Sequence, residues 1–187
     1  MNNVVYWMTV SLDGFVEAPG HNIDWTAPDE ELHRFLNDEA RGLGAFLHGR
    51  KMYELMSAYW PTADADPSAS EIIVDFARIW RDKPKIVFSR SPREVAWNSR
   101  LAGPDLAAEV RELKKSVKGD LGVGGAGIAA SFMKLGLIDE FLLFVHPILL
   151  GAGTPYFPPL EQRVPLQLVA TRAFNHGVLM LRYARKE

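Results

Sequence analysis

Residues 4–10, VVYWMTV, are apolar on both alternating sets of positions, Val4, Tyr6, Met8 and Val10 against Val5, Trp7 and Thr9. That pattern predicts a strand covered on both faces. The next stretch, SLDGFVEAPGHNIDW, carries Asp-Gly and Pro-Gly pairs and predicts a long loop of the kind that borders ligand sites. Behind Pro28, Asp29, Glu30 and Glu31, the apolar set Leu32, Phe35, Leu36, Ala40 and Leu43 recurs at helical spacing, predicting a helix over about residues 28–42 with acids in its first turn. AFLHG (45–49) predicts a short strand, RKMYELMSAYW a second helix, PTADADPSAS a surface loop, residues 70–81 a third helix and KIVFS (85–89) a buried strand. Pro104 opens a predicted helix running to about Val117. A short strand LGV then leads into glycines, and IAASFMKLG continues as a helix ending at Gly136. FLLFVHP (141–147) is again apolar on both faces, and two runs at 164–173 and 178–184 flank Phe174-Asn175-His176-Gly177, a hairpin signal. The resulting order is β, loop, α, β, α, α, β, α, β, α, β and a terminal hairpin. It specifies an α/β fold with a central, mostly parallel sheet and an antiparallel C-terminal end.

Composition narrows the chemistry. The length of 187 residues fits one domain by the usual prior of roughly 100 to 200 residues each, and we take residues 1–187 as a single unit. Hydrophobic residues at 48% and charged ones at 24% fit a globular chain and argue against disorder. A net charge of −2 gives no electrostatic drive toward nucleic acid or an anionic membrane. The N-terminus has no basic segment followed by a long apolar run, and no stretch reaches the ~18 apolar residues of a spanning helix, so a cytoplasmic location is expected. There are no cysteines, which removes disulfides, thiolate metal sites and cysteine nucleophiles together, and no metal site is expected.

Within DLGVGGAGIAASF, Gly122-Val-Gly124-Gly-Ala-Gly127 matches the dinucleotide pattern G-x-G-x-x-G. A Rossmann site also needs an acid at the end of the following strand, about 20 residues on, to hold a ribose. Here Asp139 and Glu140 stand at the beginning of that strand, whose end is Val145-His146-Pro147, so the Rossmann assignment fails. Glycines leading into a helix start still suit close backbone approach to a phosphate, or a tight turn packed on neighbouring backbone. His48-Gly49-Arg50-Lys51 and Ser89-Arg90-Ser91-Pro92-Arg93 follow two other strands, placing cations and hydroxyls where open α/β sheets bind ligands.

Taken in order, Ser11-Leu12-Asp13-Gly14, Gly49-Arg50-Lys51-Met52-Tyr53-Glu54, Val87-Phe88-Ser89-Arg90-Ser91, Gly124-Gly125-Ala126-Gly127, Gly136-Leu137-Ile138-Asp139-Glu140, Pro147 and Leu150-Gly151-Ala152-Gly153 resemble the dihydrofolate reductase-like superfamily. The branch is similar to the C-terminal reductase domain of bifunctional riboflavin-biosynthesis proteins. The resemblance implies that superfamily's three-layer fold, NADPH as cofactor and a homodimer. It implies that Thr9 and Val16 flank the nicotinamide, that Gly49, Arg50 and Lys51 border the phosphates, that Ser89 and Arg90 meet the adenosine 2′-phosphate, and that Gly124, Gly125, Ala126, Gly127 and Ile128 hold the pyrophosphate. Met52 departs from the pattern, since related reductases often carry a threonine there.

Reduction of a C=N or C=O bond needs a proton source beside the hydride donor. With Leu32 at the centre of the apolar face, Asp29 falls on the inward flank, Glu31 on the edge and Glu30 outward. Counting from Trp25 as in dihydrofolate reductases selects Glu30 instead. Asp29 is the first candidate and Glu31 the second, against the alternative that these acids only complement the helix dipole. Asp13 suits a turn, Glu39 a pairing with a buried base, and His33 and His146 hydrogen-bonded packing. Trp25, Tyr53, Met56 and Trp60 would stack on a flat heterocycle, or pack as ordinary core. The expected activity is NADPH-dependent reduction of a pyrimidine- or pteridine-like ring, most similar to the ribosylaminopyrimidine reductase of riboflavin biosynthesis. Dihydrofolate reductase, a non-catalytic nucleotide- or flavin-binding module and a purely structural interaction protein are the alternatives.

Overall fold

A computed structural model describes residues 2–91 and 94–186. In chain order the elements are β1 (Val4–Ser11), β2 (Phe15–Glu17), α1 (Glu30–Gly42), β3 (Ala45–Gly49), α2 (Arg50–Tyr59), α3 (Glu71–Asp82), β4 (Lys85–Phe88), β5 (Ser99–Leu101), α4 (Leu106–Ser116), β6 (Leu121–Gly124), α5 (Ala126–Lys134), β7 (Glu140–His146), β8 (Thr154–Pro155), β9 (Leu166–Ala173) and β10 (Leu179–Arg185). The main sheet has the order β5-β4-β3-β6-β1-β7-β10-β9. Strands β5 through β7 run parallel, and β10 is antiparallel to both β7 and β9. Among the described residues no helix is long and apolar enough to cross a membrane.

The chain moves outward from β1 to β3 and β4, then returns from β5 to β6 and β7. Right-handed crossovers in opposite directions put their helices on opposite faces. On one face Leu32 of α1 packs on Val5, while Tyr53, Phe76 and Trp80 of α2 and α3 pack on Phe46 and Val87. On the other, Val110 and Leu113 of α4 and Ala129 and Phe132 of α5 pack on Val4, Tyr6 and Val123. The double-sided apolar pattern of β1 is thus explained by a helical layer on each side. Glu39 finds its base: Arg182 of β10 lies 3.8 Å from it and 2.6 Å from Glu140.

Several element boundaries and small elements differ from expectation. Proline opens neither α1 nor α4. Asp29 is the N-cap of α1, its Oδ1 accepting from Leu32 N at 2.8 Å, and Asp105 caps α4 in the same way. A carboxylate cap offers the first turn an acceptor, which a proline start does not. Strand β5 lacks a periodic apolar pattern because it sits at the sheet edge and pairs with β4 over three residues. The long loop after β1 is interrupted by β2, which pairs with β8; strands this short leave no alternation to detect.

Gly122 lies inside β6, where an added Cβ would stand 2.4 Å from Leu43 Cδ1 and 3.0 Å from Trp7 Nε1. Gly122→Ala is expected to destabilise the fold by about 1–3 kcal/mol through overpacking, read as a lower urea midpoint. An unchanged midpoint would show that the contact relaxes freely.

Candidate functional site

Strand β3 leads into α2 on one face of the sheet and its neighbour β6 leads into α5 on the other. Their exits diverge, and such a divergence leaves a crevice at the carboxyl ends of the strands. Gly49 and Gly125 are the N-caps of the two helices, and no side chain caps either one. The gap between the exits is narrow: a Cβ on Gly49 would lie 3.4 Å from the Ile128 side chain, and one on Gly124 3.2 Å from His48 Cδ2. Gly125 has φ +109°, a conformation that L side chains rarely adopt. Its N–H donates to Met8 Sδ at 3.1 Å. The first-turn N–H groups of Ala126, Gly127 and Ile128 have no side-chain cap, so they and the helix dipole offer an anion site.

Arg50 and Arg90 are exposed, and their guanidinium groups have no partner among the described residues. Ser89 donates through Oγ to Ser91 O at 3.0 Å; Pro92 and Arg93 lie outside the described residues. Lys51 is engaged differently: its Nζ is 3.1 Å from His21 Nε2. His21 Nδ1 is 2.7 Å from Glu17 Oε1, which accepts from Thr154 Oγ1 at 2.6 Å. This chain of contacts ties the start of α2 to the β2–β8 pair. Thr9 is half-buried in β1, whereas the Val16 side chain is buried in the core with Val10 and Tyr156.

A second recess of about 430 Å³ opens at the carboxyl end of β7, walled by Trp25, Asp29, Leu32, His146, Asn175 and His176. It lies two strands from β6, about 10 Å at ordinary strand spacing. His146 is only 6% exposed, and its Nε2 has no hydrogen-bond partner; the buried Trp25 Nε1 has none either. The two rings meet edge to face at 5.6 Å. An unpaired buried polar group costs about 1–3 kcal/mol, so two of them in one recess point to a ligand that satisfies them. Burial holds the His146 pKa below its ordinary value, leaving a neutral ring at pH 7. Asp29 uses Oδ1 as the helix cap, while Oδ2 faces His176 Nε2 at 3.7 Å.

The structure brings Trp25 and Asp29 together in the wall of the recess, places Glu31 beside its hairpin turn, and packs Tyr53, Met56 and Trp60 elsewhere. Tyr53, Met56 and Trp60 pack among α2 and α3 with Phe76 and Trp80. Tyr53 Oη exchanges hydrogen bonds with the Ala96 backbone at 2.8 and 3.1 Å. Glu31 accepts from Arg172 at 2.9 Å, and Glu30 accepts from Arg34 at 2.7 Å. Asp13 is a loop staple, accepting from Ser11 Oγ at 2.6 Å and Gly151 N at 2.7 Å. His146, expected to be hydrogen-bonded packing, instead lines the recess with its Nε2 unpaired. Its signal was a polar residue ending the apolar run of a parallel strand, at the carboxyl edge of the sheet where ligands bind.

Residues 2–180 match the family model described as RibD C-terminal domain. The chain is 34% identical over 183 residues to the uncharacterized protein YyaP of Bacillus subtilis, covering 96% of this chain and 93% of that protein. The putative riboflavin biosynthesis protein of Shewanella sp. PV-4 superposes over all of both chains with a TM-score of 0.77 at 23% identity. Dihydrofolate reductase from Enterococcus faecalis, solved with NADP(H), superposes over 99% of this chain and 97% of its own with a TM-score of 0.65 at 13% identity. The architecture is therefore dihydrofolate reductase-like: a central, mostly parallel sheet with an antiparallel C-terminal hairpin.

His48, behind the crevice, is buried and stacks on Phe46 at 5.4 Å, with Nδ1 unpaired. Burial, helped by Lys85, lowers its pKa from 6.5 to about 3. Between those values the unfolded chain binds a proton that the folded chain refuses, so stability falls as pH drops below 6.5. From pH 7 to about 4.5, wild type is expected to lose about 2 kcal/mol more than His48→Gln in urea unfolding. Equal losses would show that His48 protonates freely in the fold.

Proposed function

The chain belongs to the RibD C-terminal domain family, and from that premise we propose that it is an NADPH-dependent reductase of a pyrimidine- or pteridine-like ring. One observation carries this assignment. A recess holding two unpaired buried polar groups and a carboxylate lies two and three strands from a pair of uncapped helix starts, those of α5 and α2. That spacing suits a cofactor whose phosphates sit at one place and whose reactive end reaches the other.

The residues present fit a dinucleotide. Gly124 and Gly125 carry no side chain where the strand meets the helix, Gly127 has open space around it, and the first-turn N–H groups of α5 would hold the pyrophosphate. Arg50 would border the phosphates. Ser89 and Arg90 would meet the 2′-phosphate, since a free guanidinium matches a phosphate bidentately. NADPH, when bound, supplies the hydride. A ring C=N that gains a hydride on carbon takes one proton on nitrogen, and a C=O takes it on oxygen. Asp29 stands at the recess to pass that proton, directly or through a water, from Oδ2, the oxygen the helix cap does not use. Trp25 and Leu32 wall the ring from solvent.

NADPH oxidation, followed by its near-ultraviolet absorbance with dihydrofolate and the ribosylaminopyrimidine side by side, tests the activity. Saturable consumption with a ring substrate is expected, and NADPH binding without turnover of any heterocycle would leave a binding module. Arg90→Ala should weaken NADPH about tenfold or more, the worth of a charge-assisted hydrogen bond, and NADH far less. Equal losses for the two cofactors would remove the 2′-phosphate assignment. Asp29→Asn keeps an amide that caps helices as well as the acid does, so folding should persist while turnover falls about 10²–10⁴-fold. Unchanged turnover would exclude Asp29 from proton delivery.

A further inference from the structure

The recess beside β7 contains groups suited to recognising a ring and lacks groups suited to holding a phosphate. Trp25 contributes an indole Nε1–H, a donor only. His146 contributes an imidazole Nε2 that accepts or donates according to its tautomer. Both atoms are buried and unpaired. Among the described residues, the remaining polar side chains of the wall are Asp29, Asn175 and His176, and no lysine or arginine lines it. Arg172, on the strand entering the hairpin turn, is already committed. It pairs with Glu31 at 2.9 Å and lies over the rings of Phe35 and Phe174 at 5.0 and 4.7 Å. Arg50 and Arg90, whose guanidinium groups have no partner among the described residues, follow β3 and β4 on the far side of β6 from β7.

Electrostatics then separates the possible substrates. A dianionic phosphate brought beside Asp29 would meet a carboxylate, with neither a bidentate partner nor a lysine in the wall. A neutral planar nitrogen heterocycle would meet complementary groups: its carbonyl oxygen or ring nitrogen accepts from Trp25 Nε1–H, and a ring N–H or acceptor pairs with His146 Nε2. Leu32, Ile148 and Val178 supply apolar wall, and the volume of about 430 Å³ is in the usual small-molecule range of roughly 300–1,000 Å³.

We infer that the substrate of this recess is an uncharged nitrogen heterocycle carrying no phosphate, with Trp25 and His146 as the residues that read its edge. The inference rests on the reductase assignment for the site's purpose, while its evidence is the composition of the wall. It separates this chain from an enzyme built for a phosphoribosyl substrate.

The test is calorimetric titration of the full chain with the unphosphorylated ribosylaminopyrimidine and with its phosphate ester, with and without saturating NADPH. The unphosphorylated compound is expected to bind as tightly as the ester or more tightly. Trp25→Phe and His146→Phe, which keep aromatic bulk, should each weaken it by up to about tenfold, the worth of one hydrogen bond. A phosphate ester binding about tenfold or more tightly, as one charge-assisted contact would give, overturns the inference. So does failure of the unphosphorylated ring to bind, or binding indifferent to both substitutions. The NADPH titration of the same protein separates the two ideas: heterocycle binding without NADPH binding would contradict the cofactor assignment and leave the recess assignment standing.

Discussion

One face of β6 carries no side chains, and the carboxyl edge of the sheet is arranged around that bare strip. Gly122 and Gly124 point the same way because side chains alternate along a strand, while Leu121 and Val123 point into the opposite core. Leu43 and Trp7 close over Gly122, and His48 and Met52 lie against Gly124. A methyl group at either position would push these neighbours away from the sheet. The bare strip therefore lets α2 start close beside α5, and that closeness gives the crevice two helix starts in place of one.

The opposite ends of the two sites are held by different means. Around the crevice the architecture is mostly backbone: glycine conformations, uncapped N–H groups and free surface arginines. Around the recess it is mostly side chain. Asp29 stays in place because it caps α1, Trp25 because it packs on His146, and the hairpin turn because Glu31 binds Arg172. The helix cap and the proposed proton route use different oxygens of one carboxylate, so a single residue joins the stability of α1 to the chemistry of the recess.

Much of this was legible in the sequence. Long periodic or two-sided apolar segments identified the sheet and its five helices, and the glycine, arginine and serine residues after β3, β4 and β6 pointed to one edge. What the letters of Gly122-Val-Gly124-Gly-Ala-Gly127 did not convey is that its glycines do different things. Gly122 is packed within the strand, the unmatched Gly125 holds the positive φ, and Gly127 has open space around it. Tyr53, Met56 and Trp60 had the composition of a stacking pocket but face the α2–α3 core, because helical periodicity identifies an inward face without saying whether core or cleft lies there. His146 was missed for the opposite reason. Its meaning depends on a recess made by the long loop, α1 and a hairpin turn about thirty residues further on, a distance that local pattern does not span.

The proposed dinucleotide lies along the edge from the α2 and α5 starts to the recess at β7. Amide and indole chemical shifts of the isotope-labelled protein during titration with oxidised NADP test it most directly. Saturable shifts of Gly49, Gly125, Ala126 and Ile128, accompanied by the Trp25 indole N–H, are the predicted result. Saturable shifts at the glycines that leave Trp25 unmoved, or no saturable shift at either helix start, would contradict it.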